Sequence, residues 1–160
     1  MAEARPAEHR ALQLAPRAVL ALSIQGHRRF AALPARSTLR RWVRLALDRP
    51  AELTLRFVDR REGRRLNRDF RQGDHPTNVL TFDYARSPAA VVADIVLCVP
   101  VIRREAQLQR KALRAHLAHL VIHGVLHAQG HDHLKPRQAQ RMEALEAALL
   151  ARLGIGDPYT

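Results

Sequence analysis

His123-Gly124-Val125-Leu126-His127-Ala128-Gln129-Gly130-His131-Asp132-His133 is the stretch on which the reading of the chain turns. Residues four apart on an α-helix lie one turn above each other on the same face, so His123 and His127 can reach one ion. Gly130 follows three residues later, where a helix can end in a left-handed turn that costs glycine little. The chain then folds back and can bring His133 to the same point. Six of the nine histidines lie between His116 and His133. The segment therefore reads as a helix closed by a glycine turn, with His123, His127 and His133 as a three-imidazole metal site.

Three neutral imidazoles leave a fourth tetrahedral position for water, the arrangement of a catalytic rather than a structural zinc. The spacing His-x3-His-x2-Gly-x2-His is similar to that of the metzincin metalloproteases. One departure matters. Where peptidases of the His-Glu-x-x-His type carry a glutamate base, this chain has Gly124, and Met142 falls on an apolar helical stripe rather than in a methionine turn. A peptidase mechanism is thus disfavoured. His131 and Asp132 can serve either as hydrogen-bond partners of the ligands or as solvated turn residues, and His119, one turn before His123, either as such a partner or as a core residue.

Outward from this segment, Val101 to Gln129 is helical in pattern, either one long helix or, the favoured reading, two broken near Lys111. Pro100 suits the first turn of the earlier one. A last helix starts at Pro136, with Met142, Leu145 and Leu149 on its buried face and Gly154 at its end. Towards the N-terminus, Leu20, Leu22 and Ile24 alternate with other residues in a strand over Ala18 to Gln25 that Gly26 stops. Ser37 or Thr38 can cap a helix with the apolar stripe Leu39, Trp42, Val43 and Ala46, ending before Pro50. A second strand over Leu53 to Val58 stops at Asp59, which with Glu62 resembles a capping box opening a short helix to Arg71. Val79 to Phe82 and Val91 to Val99 read as two further strands joined by a Ser-Pro loop. The expected architecture is α/β or α+β: a single mixed sheet of about four strands packed with about five helices. Residues 17–160 form one domain, and residues 1–16 a loosely ordered extension.

The 160 residues suffice for one core. With 47% hydrophobic but only 4% aromatic residues, that core must be built of Leu, Val, Ile and Ala. Cys98 is the single cysteine, so an intrachain disulfide is impossible and its natural place is a buried apolar one. A charged N-terminus without the apolar run of a signal peptide adds to the expectation of a cytoplasmic protein. The most apolar segment, Val91 to Ile102, falls short of the ~20 residues that span a bilayer. A net charge of +12 biases the surface towards polyanions, nucleic acid first. Arg61, Arg64, Arg65 and Arg68 fall at i, i+3, i+4 and i+7, one basic face of the short helix suited to RNA, and Arg71 follows at its end. An ion pair with Asp74 is the structural alternative for Arg71. Few aromatics point to recognition of the RNA backbone rather than a base code.

The histidine segment resembles the YbeY family, whose motif is His-Gly-x-Leu-His-Leu-x-Gly-Tyr-Asp-His. The likeness extends to Leu66-Asn67, Phe70-Arg71, Asp74, Pro76-Thr77-Asn78-Val79-Leu80-Thr81-Phe82 and Ala93-Asp94-Ile95-Val96, then to Met142-Glu143-Ala144-Leu145-Glu146, Leu153-Gly154-Ile155 and Asp157-Pro158-Tyr159. It covers roughly residues 50 to 160. Departures are Ala128 for Leu, His131 for Tyr and Ala93 for Gly. The resemblance implies a single-strand-specific, metal-dependent endoribonuclease of ribosomal RNA processing, at the small-subunit 3′ end, and of ribosome quality control. It implies one zinc ion on His123, His127 and His133, and a role for Arg71 in the reaction. The implied partners are ribosomal RNA and the small subunit, the protein itself being a monomer. Two other readings stand beside it: an RNA-binding ribosome assembly factor with a mainly structural zinc, and another zinc metallohydrolase.

Overall fold

A computed structural model describes residues 19–160. The expected extension over residues 1–16, and Ala18 at the start of the first strand, lie outside them. In chain order come β1 (Leu20–Gln25), a 3-10 turn (His27–Arg29), α1 (Arg36–Ala46), β2 (Ala51–Val58), α2 (Arg60–Arg71), β3 (Val79–Arg86), β4 (Val91–Cys98), α3 (Val99–Leu108), α4 (Leu113–Ala128) and α5 (Pro136–Ala151). The expected α+β class, with four strands and five helices, is what the described residues adopt.

The strands form one mixed sheet in the order β1-β2-β4-β3. β1 pairs with β2 and β2 with β4 in parallel, whereas β3 runs antiparallel to β4. Helical crossovers are what parallel neighbours require, and α1 supplies the first. Its stripe of Leu39, Trp42, Val43 and Ala46 is buried as the periodicity predicts, each large side chain contributing ~1.5–3 kcal/mol of apolar burial. The inner strand β4 (Val-Val-Ala-Asp-Ile-Val-Leu-Cys) is a near-continuous apolar run, as a strand covered on both faces should be. On one face α1 and α4 cover Leu53, Leu55, Phe57, Ile95 and Leu97. On the other, Val58, Val96 and Cys98 form a smaller cluster with Leu66, Leu80 and Phe82.

The helix α4 is apolar nearly all round and buried accordingly: Leu117, Ala118, Leu120, Val121, Ile122, Val125 and Leu126 all lie in the core. It crosses the sheet over β3 and β4 and packs against α1, α3 and α5. Gly124 marks a close approach, since a Cβ there would stand 2.7 Å from Cγ2 of Ile95. This explains the absence of the peptidase glutamate: the position faces the sheet and has no room for a side chain.

Some boundaries fall where expected, among them the Asp59 cap and the break near Lys111, and others do not. Ala35 caps α1 without a side-chain hydrogen bond, so neither Ser37 nor Thr38 is the cap. Pro34 ends the preceding loop, and the helix is held by burial instead. Asp59 does cap α2, accepting from the Glu62 N–H at 2.9 Å. The reciprocal half of the box is missing, because the Glu62 carboxylate is taken by Arg56, whose Nε donates to it at 2.7 Å. β3 runs on to Arg86 across a bulge between Asp83 and Ala85. The break between α3 and α4 falls at Gln109–Ala112, where Arg110 has φ 53°. Within α5, Leu145 is only half-buried, whereas Glu146 next to it is packed completely away, at 0% exposure, as is Leu150.

Candidate metal centre

His123 and His127 stand on the one line of α4 that the core leaves uncovered. Their rings are nearly parallel, 20° apart with centres 6.1 Å distant. The helix then closes over Gly130 (φ 101°), with the Gly130 N–H donating to His127 O at 3.0 Å and that of His131 to Leu126 O at 3.1 Å. Asp132 shapes the next turn: its Oδ1 accepts from the N–H groups of His133 at 2.7 Å and Leu134 at 3.3 Å. That turn returns the His133 ring to within 5.7 Å of His123 and 5.8 Å of His127, centre to centre. A zinc ion ~2.1 Å from one nitrogen of each ring would hold the centres roughly 5 Å apart, so the three imidazoles would need to close by about 1 Å. Donor atoms of His127, Asp132 and His133 already lie within 4.8 Å of one another.

Hydrogen bonds decide which nitrogens are free. The Nδ1 of His127 lies 2.9 Å from the carbonyl of His131, which can only accept, so Nδ1 carries a proton and Nε2 is the nitrogen left without this partner. The Nδ1 of His123 likewise donates to Oε1 of Glu146 at 2.5 Å. With Nδ1 engaged in this way, each ring leaves Nε2 as the nitrogen that a neutral imidazole would offer to a metal. His131 meets His127 through its backbone carbonyl.

Glu146 was not singled out by the sequence reading. Its Oε2 accepts from Tyr159 Oη and lies 3.4 Å from His119 Nε2, which is itself 3.1 Å from Tyr159 Oη. Burial alone pushes the carboxyl's pKa up; hydrogen bonds from His119, His123 and Tyr159 outweigh it and bring the pKa down to about 2. Tyr159 is raised, first by burial and then by its bond to the carboxylate. His119 thus meets the same buried carboxylate that holds His123. The available signal for Glu146 was a carboxylate inside an apolar stripe, four residues after Met142 and three before Leu149.

Arg71 lies across the cleft. Its Nη2 donates to the carbonyl of Thr81, and its guanidinium sits 4.9 Å over the Phe82 ring. It shares a cleft of about 320 Å³ with Thr81, Asp83, His123, His127 and His133. Asp74 is not its partner, because that carboxylate pairs with Arg64 at 3.0 Å. Arg61, Arg64, Arg65 and Arg68 line a broad groove of about 840 Å³ beginning one helical turn from Arg71. The basic face is less uniform than its spacing suggests. Arg64 is neutralised by Asp74 and Arg68 meets Asp69 at 3.4 Å, whereas among the described residues Arg61 and Arg65 have no acidic partner.

A mixed sheet crossed by a two-histidine helix, with a third imidazole returning over a glycine turn, here defines a class of hydrolase that acts on RNA: residues 27–154 match the family model described as Endoribonuclease YbeY. The chain belongs to the YbeY family. A relative from Methylibium petroleiphilum named Endoribonuclease YbeY is 56% identical over 147 residues, 89% of this chain and 96% of its own. One of the same name from Bordetella pertussis is 55% identical over 151 residues, 88% of this chain and 96% of its own. The solution structure of TM1509 from Thermotoga maritima shares the fold, with TM-score 0.51 and 21% identity over 87% of this chain and 99% of that one. Among the described residues no helix is long and apolar enough to cross a membrane.

Proposed function

We propose that this protein is a zinc-dependent endoribonuclease that cuts single-stranded RNA, acting in the cytoplasm as a monomer on small-subunit ribosomal RNA, at its 3′ end and in ribosome quality control. The observation that carries the reading is the pair of Nδ1 hydrogen bonds that turn Nε2 of His123 and of His127 into the cleft shared with His133 and Arg71. His123, His127 and His133 would hold the ion. Bound zinc supplies a Lewis acid for the scissile phosphate and a means of acidifying water.

The remaining work falls to the chain. Arg71, anchored at Nη2 by the Thr81 carbonyl, keeps its other N–H groups for a phosphoryl oxygen, a charge-assisted contact that strengthens as negative charge builds. Arg61 and Arg65, unneutralised, draw the RNA backbone along α2, and Arg64 and Arg68 add to that field at reduced strength. The relatives named as endoribonucleases support this reading over a peptidase, as does the filled space at Gly124.

The test is cleavage of single-stranded ribosomal RNA precursor fragments by zinc-loaded wild type and His127→Ala, with metal content measured by elemental analysis. One zinc per chain in wild type, and loss of both metal and cleavage in the variant, is the expected result. Equal cleavage by the two proteins would sink the enzymatic reading and leave an RNA-binding assembly factor.

A further inference from the structure

We propose that the C-terminal segment is part of the metal centre: Tyr159, by clamping the buried carboxylate of Glu146 together with His119, positions the imidazole of His123. This rests on the reading of the three histidines as metal ligands.

A carboxylate at 0% exposure inside an apolar helix face is costly unless donors replace its water. Glu146 has its donors on both oxygens: Oε1 takes the His123 Nδ1–H, and Oε2 takes the Tyr159 hydroxyl with His119 Nε2 alongside. The carboxylate cannot rotate about its last bond without losing contacts at both ends. Its plane, and through Oε1 the plane and tautomer of His123, are therefore set from the Oε2 side. His119 stands edge-on to Tyr159, ring centres 5.5 Å apart, and closes the triangle.

The segment that brings Tyr159 there is itself tied down. Ile155 and Leu153 pack on the core, Lys111 Nζ reaches Pro158 O at 3.4 Å, and the Tyr159 N–H donates to Asp157 Oδ1 at 2.8 Å. Tyr159 nevertheless stays 45% exposed, so its ring adds little to the core and its hydroxyl contact is the part of it that is specific.

The experiment measures zinc affinity of the full chain by chelator competition for wild type, Tyr159→Phe and Glu146→Gln. Two accompanying readouts are the visible spectrum of the cobalt(II)-loaded protein and the His123 tautomer in metal-free protein by 15N long-range correlation. Partners of this kind are typically worth about 10–100-fold in metal affinity, so Glu146→Gln should weaken zinc within that range and Tyr159→Phe, which loses one hydroxyl, by about 10-fold, at the low end of it. The cobalt spectrum should shift in both, and the proportion of Nδ1–H tautomer at His123 should fall. Zinc affinity within about twofold of wild type in both variants, with unchanged spectrum and tautomer, overturns the proposal while leaving the metal site intact. Failure of wild type to take up zinc overturns the metal reading and this proposal with it. Should Glu146→Gln fold poorly, Tyr159→Phe decides alone, since it removes only an oxygen at the surface edge.

Discussion

Replacing Gly124 by alanine puts a number on the tight contact between α4 and the sheet. The added Cβ would lie 2.7 Å from Cγ2 and 3.4 Å from Cδ1 of Ile95, the first roughly 1 Å inside ordinary carbon–carbon contact. Ile95 cannot yield easily. It is fully buried, branched at Cβ, and sits on β4 between Leu55 of β2 and Thr81 of β3. Overpacking of this kind costs about 1–3 kcal/mol, and alanine recovers about 1 kcal/mol of helix propensity over glycine. The net expectation is a loss of about 1 kcal/mol, a fall in Tm of ~2–4 °C for a chain of this size. Urea unfolding of metal-free Gly124→Ala, Ile95→Ala and the double variant measures it as a cycle. Ile95→Ala alone should cost about 2–5 kcal/mol, and in that background Gly124→Ala should be neutral or stabilising. A Gly124→Ala protein as stable as wild type, or an equal penalty in both backgrounds, would refute the packing argument, and with it the reason given for the missing peptidase glutamate.

Arg71→Ala should lower cleavage of single-stranded RNA by about 10²-fold in single-turnover assays, with little change in Tm because the side chain is exposed; Arg71→Lys should not restore the rate, since one ammonium cannot both hold the Thr81 carbonyl and offer paired donors. Removing Arg61 or Arg65 should reduce the slope of log binding against log salt by ~0.7 each, whereas Arg64→Ala and Arg68→Ala should change it less, as fluorescence anisotropy over a salt series will show. Asp59 has its pKa lowered, chiefly by the Glu62 N–H and further by Arg29, against an opposing effect of burial. A depressed carboxyl contributes stability above its ordinary 3.8 and loses it as pH falls through the folded value, so Asp59→Asn, which keeps the cap, should flatten the acid limb of stability in urea titrations.

The strands, α1, α2 and the break before α4 were legible because each is a local matter: period-two alternation in β1 and β2, a 3.6-residue stripe in α1, Asp59 before α2. The geometry of the three histidines could be read for the same reason, since two share one helical face and the third follows a glycine turn. What local pattern cannot show is which side chains from distant segments meet. Glu146 is 23 residues from His123, and Tyr159 a further 13 from Glu146, so their bonds arise only when α5 and the C-terminal segment pack on α4. The basic face of α2 was visible as spacing, but its partial neutralisation was not, because Asp74 reaches Arg64 only after the chain turns at Gln72 in a left-handed conformation. The start of α1 was misplaced because capping propensity pointed to Ser37 and Thr38, whereas burial of Leu39 and Trp42 set where the helix begins.

The three imidazoles are not equally free to move. His123 and His127 ride on α4, the most enclosed helix of the molecule, whereas His133 projects from a turn exposed at Leu134 and held by two N–H contacts to one aspartate. Opening α4 approaches the cost of unfolding the whole protein, but opening that turn does not. For an ion held among the three, the exit therefore lies on one side: departure would begin with His133, and the lifetime of the occupied state would be set by how often residues 131–134 swing away rather than by the strength of all three bonds together.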